Sequence, residues 1–381
     1  MASDAPDGRL HILEMQTKFG VGGIARHVLG LGGWMRGQGH RITYAGTEGP
    51  WAGPQMGPSF VSLPTNQVSA EGGALPARLW ALATGTLALR RWLRRNRVDL
   101  IHAHESAPAL VANLARRGLN IPLAVTYHGS EPERIAAFGR IAAKCDLVIT
   151  PSHRSAEDLA TIGGVPREKL KVIGLGVAVP PEDSAKAVAA LRRDLLGDGE
   201  RVIITIARLS YQKGIDLLID LVARIEESHP GYRFIVAGDG PDEAKLKALA
   251  AARGVTGRLR FIGRVDRPHL YMRASDLFLL TSRWEALPFS IVEAFQSGIP
   301  AVAAACSGVV ELIDEGTGAV FPVGDLDAAV REVARILGDE PLRAAMAAAA
   351  LEKAKLDRFD PDWVHRQFEA TYRALAGQRR T

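Results

Sequence analysis

The sequence predicts an α/β protein of two doubly wound domains, each a parallel sheet with helices on both faces, the two facing a central cleft. Three observations carry this. The chain has 381 residues, about twice the size of an ordinary domain of ~100–200 residues. Short apolar runs alternate with amphipathic stretches from end to end, the rhythm of βαβ units. That rhythm breaks once, at Gly174-Leu-Gly-Val-Ala-Val-Pro-Pro-Glu-Asp183, a Gly- and Pro-rich stretch that reads as a linker.

Before the break, strands are expected at Leu10–Met15, Arg41–Ala45, Asp99–Ala103, Leu123–Tyr127, Leu147–Thr150 and Lys171–Ile173. Helix-period segments lie between them at Ile24–Met35, Ala107–Arg116 and Ser155–Ile162. After it the alternation restarts with strand Val202–Ala207, helix Gly214–Glu227, strand Arg233–Ala237 and helix Glu243–Ala252. Strands Leu259–Ile262 and Asp276–Leu280, helix Ser290–Gln296 and strand Ala301–Ala303 follow. Helical segments near Leu326–Leu337, Pro341–Lys355 and Pro361–Leu375 finish the chain. The expected domains are residues 1–178 and 179–360, with the last helix, 361–381, packing back on the first. Ligands of such sheets bind outside the carboxyl ends of the strands, so the loops after strands should carry the chemistry.

Composition narrows the function classes. The chain is 47% hydrophobic and 23% charged, which excludes wholesale disorder and fibrous architectures. Two cysteines, Cys145 and Cys306, exclude a disulfide framework and a Cys-rich zinc site, and suit a reducing cytosol. The start, Met1-Ala-Ser-Asp-Ala-Pro-Asp-Gly8, has no basic and apolar leader pattern, and no run is long enough to span a bilayer. A cytoplasmic protein is therefore expected. The formal net charge of +5 is uneven, because residues 1–180 hold 20 Lys and Arg against 13 Asp and Glu.

Much of that excess lies in Ala77–Arg97, which carries six Arg and no acid, interleaved with Trp80, Leu87, Trp92 and Leu93. One reading is an interfacial helix, residues 78–97, that docks on anionic lipid at the inner face of the cell membrane. The plainer reading is a helix that covers a sheet face and solvates its Arg side chains. Nucleic acid is not an expected partner, since the charges belong to no reader motif.

The chemistry-bearing residues cluster in the second domain. Arg208 and Lys213, in Ala207-Arg-Leu-Ser-Tyr-Gln-Lys-Gly-Ile215, follow its first strand. A guanidinium fork and an ammonium point charge converging there suit a diphosphate, and Gly214 would open the helix. Gly238-Asp-Gly-Pro241 makes a tight turn after the next strand; it could serve a ligand or simply join strand to helix. Glu285 and Glu293, in Trp284-Glu-Ala-Leu-Pro-Phe-Ser-Ile-Val-Glu-Ala294, place one carboxylate in a post-strand loop and another a turn into a helix. Carboxylates at such positions accept hydroxyl hydrogen bonds, and the helix start attracts anions. Either Glu alone could equally be a solvated surface group.

Taken in order, Arg208…Lys213-Gly214, Gly238-Asp239-Gly240-Pro241, Phe261-Ile-Gly263, Glu285-x7-Glu293, Gly298-Ile-Pro300-Ala-Val302 and Gly316-Thr-Gly318 resemble the retaining glycosyltransferases of the GT-B fold, family 4 (glycosyl transferases group 1). Gly22-Gly23-Ile24, Ile101-His-Ala-His104 and Thr126-Tyr-His128-Gly129 resemble the same family in the first domain. The resemblance implies a donor half after the linker and an acceptor half before it.

Roles follow position by position as implications of that resemblance. Arg208 and Lys213 would neutralise the donor diphosphate, with the backbone at Gly22 and Gly23 approaching it. Glu293 would bind ribose hydroxyls, Glu285 the donor sugar, and the backbone around Ile262 the base edge. Gly238 would line the donor site, and the backbone of Leu287, Pro288, Phe289 and Ser290 would add donors to sugar or phosphate. His128 would bond the donor sugar, and His104 would reach the acceptor; His102 reads as a packed strand residue. No metal ligands and no cofactor are assigned, because two cations can take the place of a divalent ion on the leaving group.

The expected donor is a UDP- or GDP-sugar, and the acceptor a hydroxyl of a glycan, a lipid-linked or a small molecule, in cell-envelope polysaccharide or glycoconjugate biosynthesis. A sugar-nucleotide epimerase on the same scaffold and a non-catalytic nucleotide-sugar-binding protein are the alternatives. Ala286, where Gly is common, and Ser307-Gly308, in place of Gly-Gly before Glu311, depart from the family pattern.

Overall fold

The computed structural model describes residues 8–20, 22–69, 73–225 and 228–378. Glu226 and Glu227, expected to end a helix, lie outside these, as do parts of both termini. The chain divides into two compact units, Met1–Gly176 with Pro361–Thr381, and Val177–Asp360.

The first unit runs β1 (His11–Lys18), α1 (Gly23–Gly37), β2 (Arg41–Thr47), β3 (Phe60–Ser62), α2 (Thr65–Ser69), α3 (Leu75–Arg95), β4 (Leu100–His104) and α4 (Ser106–Ala115), then β5 (Leu123–Thr126), α5 (Ile135–Ala142), β6 (Leu147–Thr150), α6 (His153–Thr161) and β7 (Leu170–Val172). Its seven strands pair in the order β3-β2-β1-β4-β5-β6-β7, parallel throughout. Helices cover both faces, so the strands are apolar on both sides. Leu13 and Met15 of β1 enter one core while Leu10 and Ile12 enter the other, the period-two alternation of a strand. Strand β3 and helix α2 were not anticipated; three residues of strand and five of helix are too short for a periodic signal.

The second unit runs α7 (Ala185–Leu196), β8 (Arg201–Ile206), α8 (Ile215–Ile225), β9 (Tyr232–Ala237), α9 (Glu243–Ala252), β10 (Leu259–Gly263), α10 (Pro268–Arg273), β11 (Leu277–Leu280) and α11 (Phe289–Gln296), then β12 (Ala301–Ala304), α12 (Val309–Leu312), β13 (Gly318–Phe321), α13 (Leu326–Gly338) and α14 (Glu340–Lys353). Its six parallel strands lie in the order β10-β9-β8-β11-β12-β13. The Gly/Pro-rich stretch is anchored on this unit from Val177 onward. Val177 donates its backbone N–H to the Phe359 carbonyl (2.9 Å), and Asp183 is held by Arg267 and by Arg273 (2.9 Å).

The last helix, α15 (Pro361–Gly377), belongs to the first unit, where Val364, Phe368 and Tyr372 complete the core that contains Ile12, Leu100 and Ile149. Its position against α1 and the α1–β2 turn is pinned by Trp34 Nε1–H donating to Asp362 (3.1 Å) and His40 meeting Glu369 (3.1 Å).

Candidate active site

In each sheet the strand order reverses once: between β1 and β4 in the first, between β8 and β11 in the second. Loops leaving the carboxyl ends of those strand pairs diverge and leave a crevice, where ligands of doubly wound folds sit. Of the residues singled out from sequence, Gly22, Gly23 and His104 lie at the first reversal and Arg208, Lys213 and Glu285 at the second, while His128, Gly238 and Ile262 lie at the ends of the neighbouring strands β5, β9 and β10.

In the second unit, Arg208 leaves β8 exposed, and its guanidinium has no hydrogen-bond or ion partner among the described residues. Two glycines of the neighbouring turn brace its loop. A side chain on Gly238 would place Cβ 1.9 Å from the Ala207 carbonyl oxygen, and one on Gly240 2.2 Å from that of Leu209. Leu209 in turn donates its N–H to the Asp239 carbonyl (2.8 Å). The Gly-Asp-Gly-Pro turn thus acts by letting two backbones touch, and through that contact it aims Arg208.

Lys213 ends a single helical turn, and Gly214 then adopts φ 61°, with its Cα facing the Thr281 carbonyl so closely that a Cβ would sit 2.1 Å from the oxygen. This left-handed residue turns the chain into α8 and directs Lys213 toward the loop after β11. There Lys213 Nζ pairs with Glu285 Oε1, which also accepts the Ser282 hydroxyl (2.7 Å). Glu285 is buried, its side chain 7% exposed against 19% for Lys213. Beneath them burial, with the Glu285 carboxylate adding to it, pushes the Cys306 thiol up to about 12; its Sγ–H donates to the Ser282 carbonyl (3.1 Å).

The two departures from the family pattern meet here. Gly308 packs on the backbone of Ala286, whose carbonyl oxygen would be 1.5 Å from a Cβ, so the retained glycine of Ser307-Gly308 is the one that contact requires. Leu287 and Pro288 lead into α11, whose first amides, at Phe289 and Ser290, have no partner within the helix. Glu293 lies one turn on, half-buried, and Ile262 near the end of β10 is likewise half-buried.

In the first unit, Gly22 and Gly23 open the 15-residue α1 and are exposed; with no acid in its first turn, this helix start favours an anion. His128 follows β5, half-buried, next to Gly129 at φ 90°. His104, expected to reach an acceptor, instead lies fully buried with both ring nitrogens engaged: Nδ1 meets His128 Nε2 (3.0 Å) and Nε2 meets Glu14 Oε2 (2.9 Å). It ends a sheet strand under α1 and α15, so it touches a ligand only through His128. His102 is packed in its strand as expected, and also bonds Thr126 (2.7 Å), Glu14 (3.2 Å) and Tyr372 (2.5 Å).

Glu14 was missed. The signal was present: a lone carboxylate inside the apolar run Leu10–Met15 must find partners when buried. Sheet register supplies them, since Glu14 sits opposite His102. Among the described residues Glu14, His102 and His104 form a group of metal-ligating types within 4.8 Å, but they spend those atoms on one another. Two Asp-x-Asp triplets are also committed to structure. Asp325 caps α13 and Asp327 pairs with Arg224, while Asp362 accepts from Trp34.

Strand orders, a basic pair at one reversal and a helix-opening Gly-Gly at the other define two doubly wound units with anion-binding features, and comparison with known proteins gives their family. Residues 187–353 match the family described as Glycosyl transferases group 1, and residues 21–179 match Glycosyltransferase Family 4. The chain belongs to the group 1 glycosyltransferases of the GT-B fold. It is 28% identical over 288 residues to the lipopolysaccharide core biosynthesis mannosyltransferase LpsB of Rhizobium meliloti, covering 72% of this chain and 79% of that protein. It is also 28% identical over 344 residues to a phosphatidyl-myo-inositol mannosyltransferase of Propionibacterium freudenreichii, covering 84% and 83%. Among solved structures, Anabaena HepE in complex with UDP and glucose superposes with TM-score 0.78 at 22% identity, over 95% of this chain and 99% of that one. Sucrose-phosphate synthase of Thermosynechococcus elongatus gives 0.81 at 20%, over 97% and 100%.

Proposed function

We propose that this glycosyltransferase takes its sugar from a UDP- or GDP-linked donor and transfers it, with retention and without a divalent cation, to a hydroxyl of a glycan, a lipid-linked or a small-molecule acceptor. The observation that carries the reading is the pair of loops at the β8/β11 reversal, where Lys213 meets the buried carboxylate of Glu285 and Arg208 stands exposed just after β8. As the bond from sugar C1 to the diphosphate breaks, negative charge grows on the leaving oxygens. Arg208 and Lys213 stabilise it, a contribution that reaches several kcal/mol when the donors are preorganised. Glu293 takes the ribose hydroxyls, Glu285 and His128 the sugar, and the α11 start and the Gly22-Gly23 amides further donor oxygens. The second unit holds the nucleotide and the first the acceptor.

The peripheral-membrane reading is proposed for the first unit. Helix α3 exposes Leu75, Leu79, Trp80 and Leu87, with Arg91, Arg94 and Arg95 exposed beyond them, an apolar stripe running into a basic end that suits anionic lipid. No helix among the described residues is long and apolar enough to cross a membrane.

The experiment is transfer from a panel of UDP- and GDP-sugars in the presence of a chelator, wild type against Glu293→Ala and Arg208→Ala. Both variants should fold and lose transfer. Full activity in either refutes the assignment, product sugar nucleotide without acceptor supports an epimerase, and binding without turnover supports a sensor.

A further inference from the structure

Five residues of the first unit form one hydrogen-bonded chain on the sheet face covered by α1 and α15. Glu14 Oε2 meets His104 Nε2 at 2.9 Å and His102 Nδ1 at 3.2 Å; Glu14 Oε1 meets the Tyr372 hydroxyl at 3.1 Å; His104 Nδ1 meets His128 Nε2 at 3.0 Å. Glu14, His102, His104 and Tyr372 are shielded from solvent, and only His128 reaches the surface. We propose that Glu14, acting through His104, locks His128 in the tautomer with its proton on Nε2, so that His128 offers a bare Nδ1 and accepts a hydrogen bond from a hydroxyl of the sugar being transferred. This rests on the reading of His128 as a sugar contact. It assigns Glu14 and His104 as positioning residues.

Hydrogen placement forces the direction. An ionised carboxylate only accepts, so His104 must donate from Nε2. A neutral imidazole that donates from one nitrogen must accept at the other, so His104 Nδ1 accepts and His128 must donate from Nε2. His128, neutral in turn, keeps Nδ1 without a proton, and that atom has no hydrogen bond among the described residues. The remaining groups close without conflict: the Tyr372 hydroxyl donates to Glu14, and the Thr126 hydroxyl donates to His102 Nε2. The charge states agree. Burial opposes ionisation of Glu14, yet the two imidazoles beside it hold its pKa well below the usual carboxylate range. Burial, then His102, lowers His104 to about 4, and burial with the neighbouring rings holds His128 well below its ordinary value. His27 packs edge-on against both rings, at 5.6 and 5.7 Å between centroids, while His104 and His128 stack at 5.3 Å. The ring planes are therefore set as well as the protons.

The test is a long-range proton–nitrogen correlation spectrum of the ¹⁵N-labelled full chain near pH 7.5, with His128 identified by signals lost in His128→Gln. The expected result is a pyrrole-type Nε2 and a pyridine-type Nδ1 on His128. In Glu14→Gln, whose amide can no longer only accept, the His128 pattern should become mixed or reversed, and kcat should fall by about tenfold or more, with the donor KM moving far less. Glu14→Asp, which keeps an acceptor-only group, should recover part of both. A proton on Nδ1 of wild-type His128 overturns the proposal, and so does a tautomer unchanged in Glu14→Gln. Should Glu14→Gln not fold, the wild-type spectrum and His104→Gln carry the same decision. The predicted tautomer together with an undiminished rate in His128→Gln overturns the sugar contact instead, so the two failures are distinguishable.

Discussion

Replacing Lys213 by Met should destabilise the second unit, and replacing Glu285 as well should restore most of that loss without restoring activity. The single change leaves the Glu285 carboxylate, 7% exposed, with the Ser282 hydroxyl as its remaining side-chain donor among the described residues. Removing one member of a buried pair costs about 3–5 kcal/mol because the other charge stays desolvated. Lys213 keeps 19% exposure, so solvent screens part of the pair and about 2–3 kcal/mol is the better figure. For a unit of this size that lowers the midpoint of its thermal transition by roughly 5–10 °C. Glu285→Gln on top removes the stranded charge, so the double variant should recover about 1–2 kcal/mol. The assay is calorimetric melting of the four proteins of the cycle, each also tested for transfer. A double variant as unstable as Lys213→Met, or a single variant with unchanged melting, refutes the claim that this pair is a coupled buried unit.

Gly308→Ala should cost more than about 2 kcal/mol and at least tenfold in donor affinity, since a Cβ 1.5 Å from the Ala286 carbonyl must push the Glu285–Ser290 segment aside; normal binding by calorimetry would contradict this. The first unit should lose stability as pH falls from about 6.5 toward 4. His104, lowered to about 4 by burial and by His102, takes up its proton in the unfolded chain first, so its share is intact above the unfolded value and falls away down to the folded one, about 3 kcal/mol in all. Urea midpoints across that window should drop, and drop less in His104→Gln; parallel curves would contradict it. Vesicles containing phosphatidylglycerol should sediment the protein and neutral phosphatidylcholine vesicles should not, with binding reduced at least fivefold in Trp80→Ser/Leu87→Ser and in 0.5 M salt, a concentration that shortens the screening length to about 4 Å. Equal sedimentation by both vesicle types would refute the α3 contact.

Long parallel strands and amphipathic helices were readable because burial on both faces writes continuous apolar runs and the helix period writes a moment. Hence strand β8 and helix α8, which buries Ile215, Leu218, Ile219, Leu221, Val222 and Ile225, fall within two residues of where apolar runs and helix period put them. The three-residue β3 and the four- and five-residue helices α12 and α2 are too short to show a strand run or a helix period and were lost, as was α7, whose single buried residue, Leu195, leaves little stripe to see. The second unit's site was legible because its charges are local to two loops. The Glu14–His104–His128 chain was not, since it joins three strands and α15 across 358 residues from Glu14 to Tyr372, and only sheet register brings them together. His104 was misjudged for the same reason: a strand-end His looks available until the helix covering it is known.

The central claim is that the β8/β11 reversal of the second unit binds the donor's diphosphate through Arg208 and Lys213. Titration calorimetry of UDP and GDP into the full chain, in buffer containing EDTA, tests it most directly. One nucleotide should bind, at least tenfold more weakly in Arg208→Ala and in Lys213→Ala, while the matching nucleoside without phosphates should show almost no difference between wild type and variants. Binding that requires a divalent cation, or that is unchanged in both variants, would contradict the account.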